Sequence, residues 1–505
     1  MKTRMLINAA DPEEYRIAVI KDGRLDGYHV ESSAVEQKKG NIYKGIVEKI
    51  EPRLQACFVN FGADRNGFLP ASEVHPEYHQ TEKAAPGERG FLPIQKALKK
   101  NQELLIQVTK EMPGRKGDHL TTYVSIAGRY LVLTPGRTSN GVSRKIEDEE
   151  ERQRLKSIMG QLKLPEEIGY IVRTVAAGQN KRELSKDLNR LLRVWKNIKS
   201  RVKKSPSLSL IHKEQDICFR TLRDYYSSDV SEILVDDKEI YNEIKSYMKI
   251  ISPRDQGRVK LYKGTRPIFD QHKIEDQIES IYNTKVFLPS GGSIVIGTTE
   301  ALISIDVNSG RGMVGKNLET MVYRHNLEAA SEIPRQLRLR DIGGLIVIDF
   351  IDMNERKHNR EVEKVLREEL KKDRAKIDMA HISKFGLLEL SRQRLRPAIE
   401  LSSYQTCPHC GGRGMVKSVE SAAVSFLRSI WMGLSKGKAT QVTGTLPLAV
   451  ASYLQNRKRR ELAEIEKRYD VTIILTGDPA MMPGNGQLDF IKGDARTTTP
   501  SVPHA

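Results

Sequence analysis

Two aspartates set the chemistry this sequence could perform. Asp306 lies in the run Ala301–Val307 and Asp349 in the run Leu345–Phe350. Each follows Ile, Val or Leu residues and precedes polar ones, Asn308-Ser309-Gly310 and Asp352-Met353-Asn354. An ionised carboxylate at the carboxyl end of an apolar strand must be hydrogen-bonded, paired with a cation or bound to metal, because a lone buried charge is heavily penalised. Side by side, two such groups suit magnesium, which takes one or two carboxylates and completes its shell with water and phosphate oxygens. That arrangement polarises a phosphoryl oxygen and acidifies water, as phosphodiester hydrolysis near neutral pH requires, and Asn308 could donate a hydrogen bond to the phosphate. Either aspartate alone could instead cap a loop or pair with an arginine. Spacing does not show that the two strands are neighbours.

A second constellation is Cys407-Pro408-His409-Cys410-Gly411-Gly412-Arg413-Gly414. A Cys-x-x-Cys pair is either half of a zinc site or a thiol–disulfide centre. A redox pair belongs where a strand feeds a helix N-terminus, whereas here Pro397 and Ser402-Ser403 precede and three glycines follow, so a zinc-binding turn is favoured. Structural zinc needs four ligands. Cys57 and Cys218 sit in apolar surroundings and are expected in cores, and His409 is expected to point out of the turn. The economical solution is one zinc shared by Cys407 and Cys410 of two subunits, a clasp for a homodimer.

Two further sets suit a polyanion. Tyr43, Phe58, Phe61 and Phe68 alternate with Lys44, Lys49, Arg53 and Arg65. Single-strand binders of the OB type combine such a basic groove with aromatics on which bases stack, at ~1–3 kcal/mol per base. An aromatic in a strand is more often core, so each of the four has that alternative. Arg173-Thr174 follows the apolar Tyr170-Ile171-Val172 and precedes Ala176-Ala177-Gly178. A guanidinium fork and a hydroxyl beside small residues suit a terminal phosphate, although an ordinary strand end would look the same.

The elements that must hold these residues are legible in outline. Short strands are expected around residues 5–8 and 16–20, with the turn Lys21-Asp22-Gly23 between apolar runs, in a segment too small to fold alone. Several short strands between about 40 and 127 predict a small β-barrel. A helix is predicted from Arg182 to Lys204, with Leu188, Leu191, Leu192, Trp195, Ile198 and Val202 at helical spacing and Lys186, Arg190, Arg193, Lys196, Lys199 and Arg201 elsewhere. Its basic outer face reads most simply as solvated charge. From 279 onward, long apolar strands alternating with helices predict an α/β layer buried on both sides. A basic helix around 452–470 and a strand near 471–477 predict a small terminal α/β unit, followed by a tail expected to lack structure.

Composition narrows the class. The 505 residues suggest three or four domains, and 38% hydrophobic content supports ordinary cores. The excess of 83 Lys and Arg over 65 Asp and Glu, +18, favours nucleic acid as partner before acidic membrane. Four cysteines exclude a secreted disulfide framework and fit a reducing cytoplasm. No stretch of about 18 apolar residues suggests a membrane segment.

Taken together, residues 44–70, 169–176, 303–310, 343–353, 381–397 and 407–414 resemble the ribonuclease E/G family of endoribonucleases, with its G branch the nearer match. The resemblance covers about residues 1–490. It implies a multidomain α/β (α+β) chain: a ribonuclease H-like subdomain (1–35 and 215–278), interrupted by an OB-fold RNA-binding domain (36–118) and a 5′-sensor (119–214). A deoxyribonuclease I-like catalytic subdomain (279–400), a zinc link (401–415), a small α/β domain (416–490) and a disordered tail (491–505) follow. By resemblance, Asp306 and Asp349 bind Mg2+, Asn308 orients phosphate, and Cys407 and Cys410 bind Zn2+. Arg173, Thr174 and Val132 would take a 5′-monophosphate, and Phe58, Phe68, Lys116 and Lys376 would touch RNA, with a lysine at 376 where the family leads one to expect arginine. The implied activity is magnesium-dependent cleavage of single-stranded RNA to 3′-hydroxyl and 5′-phosphate ends, in rRNA maturation and mRNA decay, by a cytoplasmic homodimer able to extend to a tetramer. Alternatives from other classes are a non-catalytic RNA-binding or translation-associated protein, a thiol oxidoreductase and, more weakly, a deoxyribonuclease.

Overall fold

The computed structural model describes residues 2–32, 38–80, 92–112, 116–227, 229–299, 301–310, 318–394, 399, 404–437, 439–482, 484–492 and 495–498. The chain forms two compact units, Met1–Ser402 and Ser403–Ala505.

The N-terminal strands Thr3–Asn8, Glu14–Lys21 and Arg24–Ser32 cannot enclose a core, and the chain completes them from far away. Val230–Val235 joins Thr3–Asn8 in parallel and Val259–Leu261 joins the edge, giving five strands. Alternation then serves two cores. Met5, Ile7, Ile17 and Val19 pack on Leu222, Tyr226, Ile244 and Met248, while Leu6, Ala18, Ile20 and Leu25 face Ile268, Phe269 and Leu339. The Asp22-Gly23 turn takes left-handed angles at both residues, φ 49° and 83°.

Next comes a closed barrel. Strands Ile42–Glu51, Ala56–Asn60, Gly67–Pro70, His119–Thr121 and Glu103–Lys110 pair in that order, and the last pairs back onto the first. Val47, Cys57, Val59, Leu69, Ile106, Val108 and Leu120 fill it. Gly67 is required by closure, since a Cβ there would meet Leu120 Cδ1 at 2.4 Å. Phe61, a candidate for base stacking, is instead only 1% exposed and packs in the barrel core edge-on to half-buried Tyr43 at 5.1 Å. Inward positions of a small barrel must be filled by large apolar side chains, and Phe61 has that orientation.

A four-stranded sheet of Ile126–Ala127, Leu131–Pro135, Asn140–Val142 and Ile168–Val172 carries helices Glu149–Gly160 and Lys181–Lys204. Asn180 caps the longer helix by accepting a hydrogen bond from Glu183 N at 3.0 Å. Leu184, Leu188, Leu191 and Ile198 bury its apolar stripe. Asp187 on the same helix is buried and accepts hydrogen bonds from the backbone N–H groups of Arg129, Tyr130 and Leu131, at 3.3, 2.8 and 3.1 Å.

The third sheet orders Lys285–Phe287, Ser293–Thr298, Leu302–Asn308, Gly344–Asp349, Leu387–Arg392 and Ile377–Met379. Leu302–Asn308 and Gly344–Asp349 are its parallel pair, linked through helix Leu318–Leu339, and the other described pairings are antiparallel. One face, with Ile303, Ile305, Ile346 and Ile348, packs on helices Leu318–Leu339 and Arg356–Lys371. The opposite face carries exposed Ser304, Asp306, Asn308, Leu345 and Asp349. This corrects the expectation of burial on both sides: the apolar runs are long, but their alternate positions are open.

In the second unit, Thr472–Asp478, Gln441–Pro447, Gln487–Lys492 and Ala495–Thr498 form one sheet, with helices Val419–Ser435, Leu448–Arg457 and Arg459–Tyr469. The single basic helix expected around 452–470 is two helices divided at Lys458, an arrangement that turns Leu454, Leu462 and Ile465 into one core. Part of the expected disordered tail is also ordered: Ala495–Thr498 pairs antiparallel with Gln487–Lys492, its backbone satisfying an otherwise open sheet edge. The remainder, 493–494 and 499–505, lies outside the described residues.

Candidate active site

Asp306 and Asp349 are register partners. Their strands run parallel and adjacent, pairing Ile305 with Ile348 and then Asp306 with Asp349. Register partners in a parallel pair point to the same face about 4.8 Å apart, so chain folding brings together two carboxylates 43 residues apart in sequence. Two residues on from Asp306, Asn308 shares its face and donates Nδ2–H to Asp306 Oδ2 at 2.6 Å. All three are exposed. Desolvation, then the charges of Asp306 and Asp352, push the Asp349 carboxyl above its ordinary range.

That crowding supplies the test of a cation here. Three aspartates on one open surface repel one another, and a divalent ion would relieve the repulsion. Among the described residues no group of three or more His, Cys, Asp or Glu side chains is arranged to hold a metal unaided. Two carboxylates would suffice for a hard divalent cation that keeps most of its own waters.

In the sequence Asp352 stands out only as part of a polar loop. Its placement depends on two groups that sequence reasoning missed. Asn326, fully buried on helix Leu318–Leu339, donates to Ile351 O at 2.7 Å and accepts from Ile351 N at 3.1 Å. Gly386, at φ 76°, approaches so closely that a Cβ would lie 3.1 Å from Asp352 Oδ1 and 3.3 Å from Phe350 O. Further along the loop, Glu319 accepts from Asn354 Nδ2 at 3.0 Å and lies 2.9 Å from His358 Nδ1. A polar residue in an otherwise amphipathic helix was the available signal for Asn326.

Cys407 and Cys410 lie in a turn of the second unit, where Gly411, Gly412 and Gly414 all have positive φ. The backbone N–H groups of Gly414, with Gly414 N 3.3 Å from Sγ, and of Gly412 hold the Cys410 thiol below its ordinary range. Favouring thiolate favours the metal-ligating form. Helix Val419–Ser435 starts well beyond the pair and is capped by Ser418, so neither thiol sits at that helix N-terminus. Two such thiols could supply half of the four ligands that a structural zinc takes. Cys57 and Cys218 are buried free thiols, each pushed up to about 12 with burial the leading cause.

Arg173 follows strand Ile168–Val172. Its guanidinium donates from Nη2 to Asp224 Oδ1 at 2.6 Å and from Nη1 to Gly128 O at 2.6 Å. Thr174, exposed, opens a 3-10 turn, and Val132 pairs with Ile171 in the neighbouring strand, so these residues lie at one end of the sheet's two central strands. Lys145 Nζ donates to Asp373 O at 2.9 Å and Ala375 O at 2.8 Å, tying the same small sheet's segment to the chain just before Lys376. Lys376 is exposed beside Asp378 at 3.6 Å.

On the barrel, Phe58 and Phe68 are half-buried register partners, their ring centroids 6.0 Å apart, and Phe68 meets His119 at 5.3 Å. This outward ring ladder crosses three strands. His119 was missed because a lone histidine opening a strand carries no spacing signal. Lys116 is exposed in the turn before His119.

Comparison with known proteins adds independent findings. A family model described as Ribonuclease E/G family matches residues 125–395, and one described as RNase E/G, Thioredoxin-like domain matches 406–490. The chain is 47% identical over 479 residues to Ribonuclease E of Haemophilus influenzae, covering 95% of this chain and 51% of that protein. It is 44% identical over 499 residues to Ribonuclease E of Escherichia coli K12, covering 98% and 47% respectively. To Ribonuclease G of Escherichia coli K12 it is 36% identical over 468 residues, covering 92% and 95%. Identity is thus higher to the ribonuclease E relatives, of which the chain spans about half the length.

Proposed function

Because the chain belongs to the ribonuclease E/G family, we propose that it is a single-strand-specific endoribonuclease that hydrolyses RNA phosphodiesters to 3′-hydroxyl and 5′-phosphate ends. The observation that carries this reading is the register pairing of Asp306 with Asp349, with Asn308 on the same open face. Asp306 and Asp349 would hold magnesium. Bound there, the ion supplies charge neutralisation at the phosphoryl oxygens and a more acidic water. Asn308 Nδ2, hydrogen-bonded to Asp306, is positioned to turn toward a phosphate oxygen once that carboxylate is engaged. Asn326 and Gly386 hold the Ile351–Asp352 segment so that the acidic surface keeps its shape.

Around that centre the remaining roles follow the family. Phe58 and Phe68, with His119, form the platform on which bases stack, with Lys116 and Lys376 touching phosphates. Arg173, Thr174 and Val132 bind a 5′-monophosphate that stimulates cleavage; Asp224 orients the Arg173 fork for that task. Cys407 and Cys410 of two chains share one zinc, making a homodimer that can pair into a tetramer. We read the five-stranded N-terminal sheet as ribonuclease H-like, the barrel as the OB domain and the third sheet as deoxyribonuclease I-like. The two buried free thiols suit a reducing cytoplasm, and no helix among the described residues is long and apolar enough to cross a membrane. Maturation of rRNA and decay of mRNA are the processes served.

The test is Asp306→Asn on a labelled single-stranded RNA bearing a 5′-monophosphate or 5′-hydroxyl. Loss of cleavage with affinity retained, and faster wild-type cutting of the monophosphate, are expected. Normal cutting by the variant in magnesium would defeat the assignment.

A further inference from the structure

The basic face of helix Lys181–Lys204 looks from sequence like solvated charge, but in the fold it lines a cleft of about 670 Å³ against helix Lys238–Ile251. Lys186, Arg190, Arg193 and Asn197 follow at steps of four, three and four, which places them in one stripe along about three helical turns. Arg129 enters from the floor. It is 6% exposed, and its Nε and Nη1 are buried without a hydrogen-bond partner. Its guanidinium lies 5.3 Å from the Tyr130 ring and 5.1 Å from the Tyr226 ring.

The charge balance inside the cleft is cationic. Four Lys and Arg side chains face two carboxylates, and both carboxylates are engaged: Asp187 by three backbone N–H groups and Glu183 by Lys186 at 3.1 Å. Arg190 is held over the Tyr247 ring at 5.6 Å, which fixes it at the wall. Exposed Ile250 forms the apolar rim on the other side. Guanidinium groups held in place by packing are preorganised for phosphate oxygens, and a linear series of them suits a repeating anion better than a single one.

Accepting the ribonuclease reading, on which this step rests, we infer that the cleft is a second, sequence-independent binding track for the phosphodiester backbone of single-stranded RNA, apart from the barrel platform. Arg190 and Arg193 bind phosphates there, and Arg129 completes the positive floor. The stripe offers no exposed aromatic ring, so it grips the backbone and leaves the bases unread.

The measurement is fluorescence anisotropy of a labelled single-stranded RNA with the full chain, in magnesium-free buffer to prevent cleavage and leave any bound zinc in place, over a salt series. Arg190→Gln with Arg193→Gln should weaken binding by about tenfold at 0.1 M salt and make the log K against log salt slope shallower by about 1.4, at ~0.7 for each phosphate that the variant leaves unneutralised. An unchanged affinity and slope would overturn the inference. As a check that needs no variant, bound RNA should protect Lys186 of the wild-type chain from amine acetylation; protection of Lys116 without Lys186 would overturn it equally. A wild-type chain that fails to bind RNA at all would bring down the ribonuclease reading itself, a result distinct from either of these.

Discussion

Asn326 grips Ile351 from both directions, donating to its carbonyl at 2.7 Å and accepting from its N–H at 3.1 Å. Ile351 stands two residues beyond Asp349 and next to Asp352, so a buried amide on a helix sets the exit path of the strand that carries the acidic pair. Asn326→Ala leaves two backbone groups without partners and should cost about 3 kcal/mol of stability. Because the amide acts through backbone position, kcat for RNA cleavage should fall several-fold while KM stays near wild type. An unaltered kcat in a destabilised but folded variant would show that the loop finds its path without Asn326.

Gly386 makes the opposite kind of contribution, by leaving space. At φ 76° an alanine is strained by roughly 1–2 kcal/mol, and its Cβ would press on Asp352 Oδ1 and Phe350 O. Gly386→Ala is therefore expected to reduce cleavage and to raise the magnesium concentration needed for half-maximal rate. A variant with an unshifted magnesium dependence would separate Asp352 from the metal surface.

Asp224 joins Arg173 and Arg223 below the proposed 5′-phosphate pocket, at 2.6 and 3.2 Å. Burial alone would raise its carboxyl, but the two guanidinium groups outweigh that and hold it below the ordinary range. A carboxyl depressed in the folded state stabilises fully above its unfolded pKa of about 3.9 and loses that contribution as pH falls through the lower folded value. Asp224→Asn should thus cost about 3 kcal/mol at pH 7, where it leaves buried arginine charge uncompensated, and less at pH 3. Urea unfolding at the two pH values reads the difference; an equal loss at both would contradict the ion-pair account.

The thiol pair predicts a stoichiometry. Zinc content by elemental analysis should be near one per two chains, and Cys407→Ser with Cys410→Ser should sediment as a monomer while the second unit keeps its fold, whose core lies elsewhere among residues 422–488. A zinc-free dimer would remove the metal from the interface.

The residues that could do chemistry were open to reading because their types are costly where they stand: an aspartate ending an apolar strand and a cysteine pair among glycines both demand a partner. The barrel strands, the long helix and the α/β alternation were legible too, since periodicity reflects which faces are buried. Periodicity carries no information on which strand lies beside which. Residue order alone was enough to place Asp306 and Asp349 each at the end of a hydrophobic strand. That those strands are parallel neighbours, in a register that matches the two carboxylates, emerged with folding, because pairing is settled by interactions between segments distant in the chain. The same long-range packing sent Phe61 inward while Phe58 and Phe68 stayed out, and turned a solvated-looking basic stripe into the wall of a cleft.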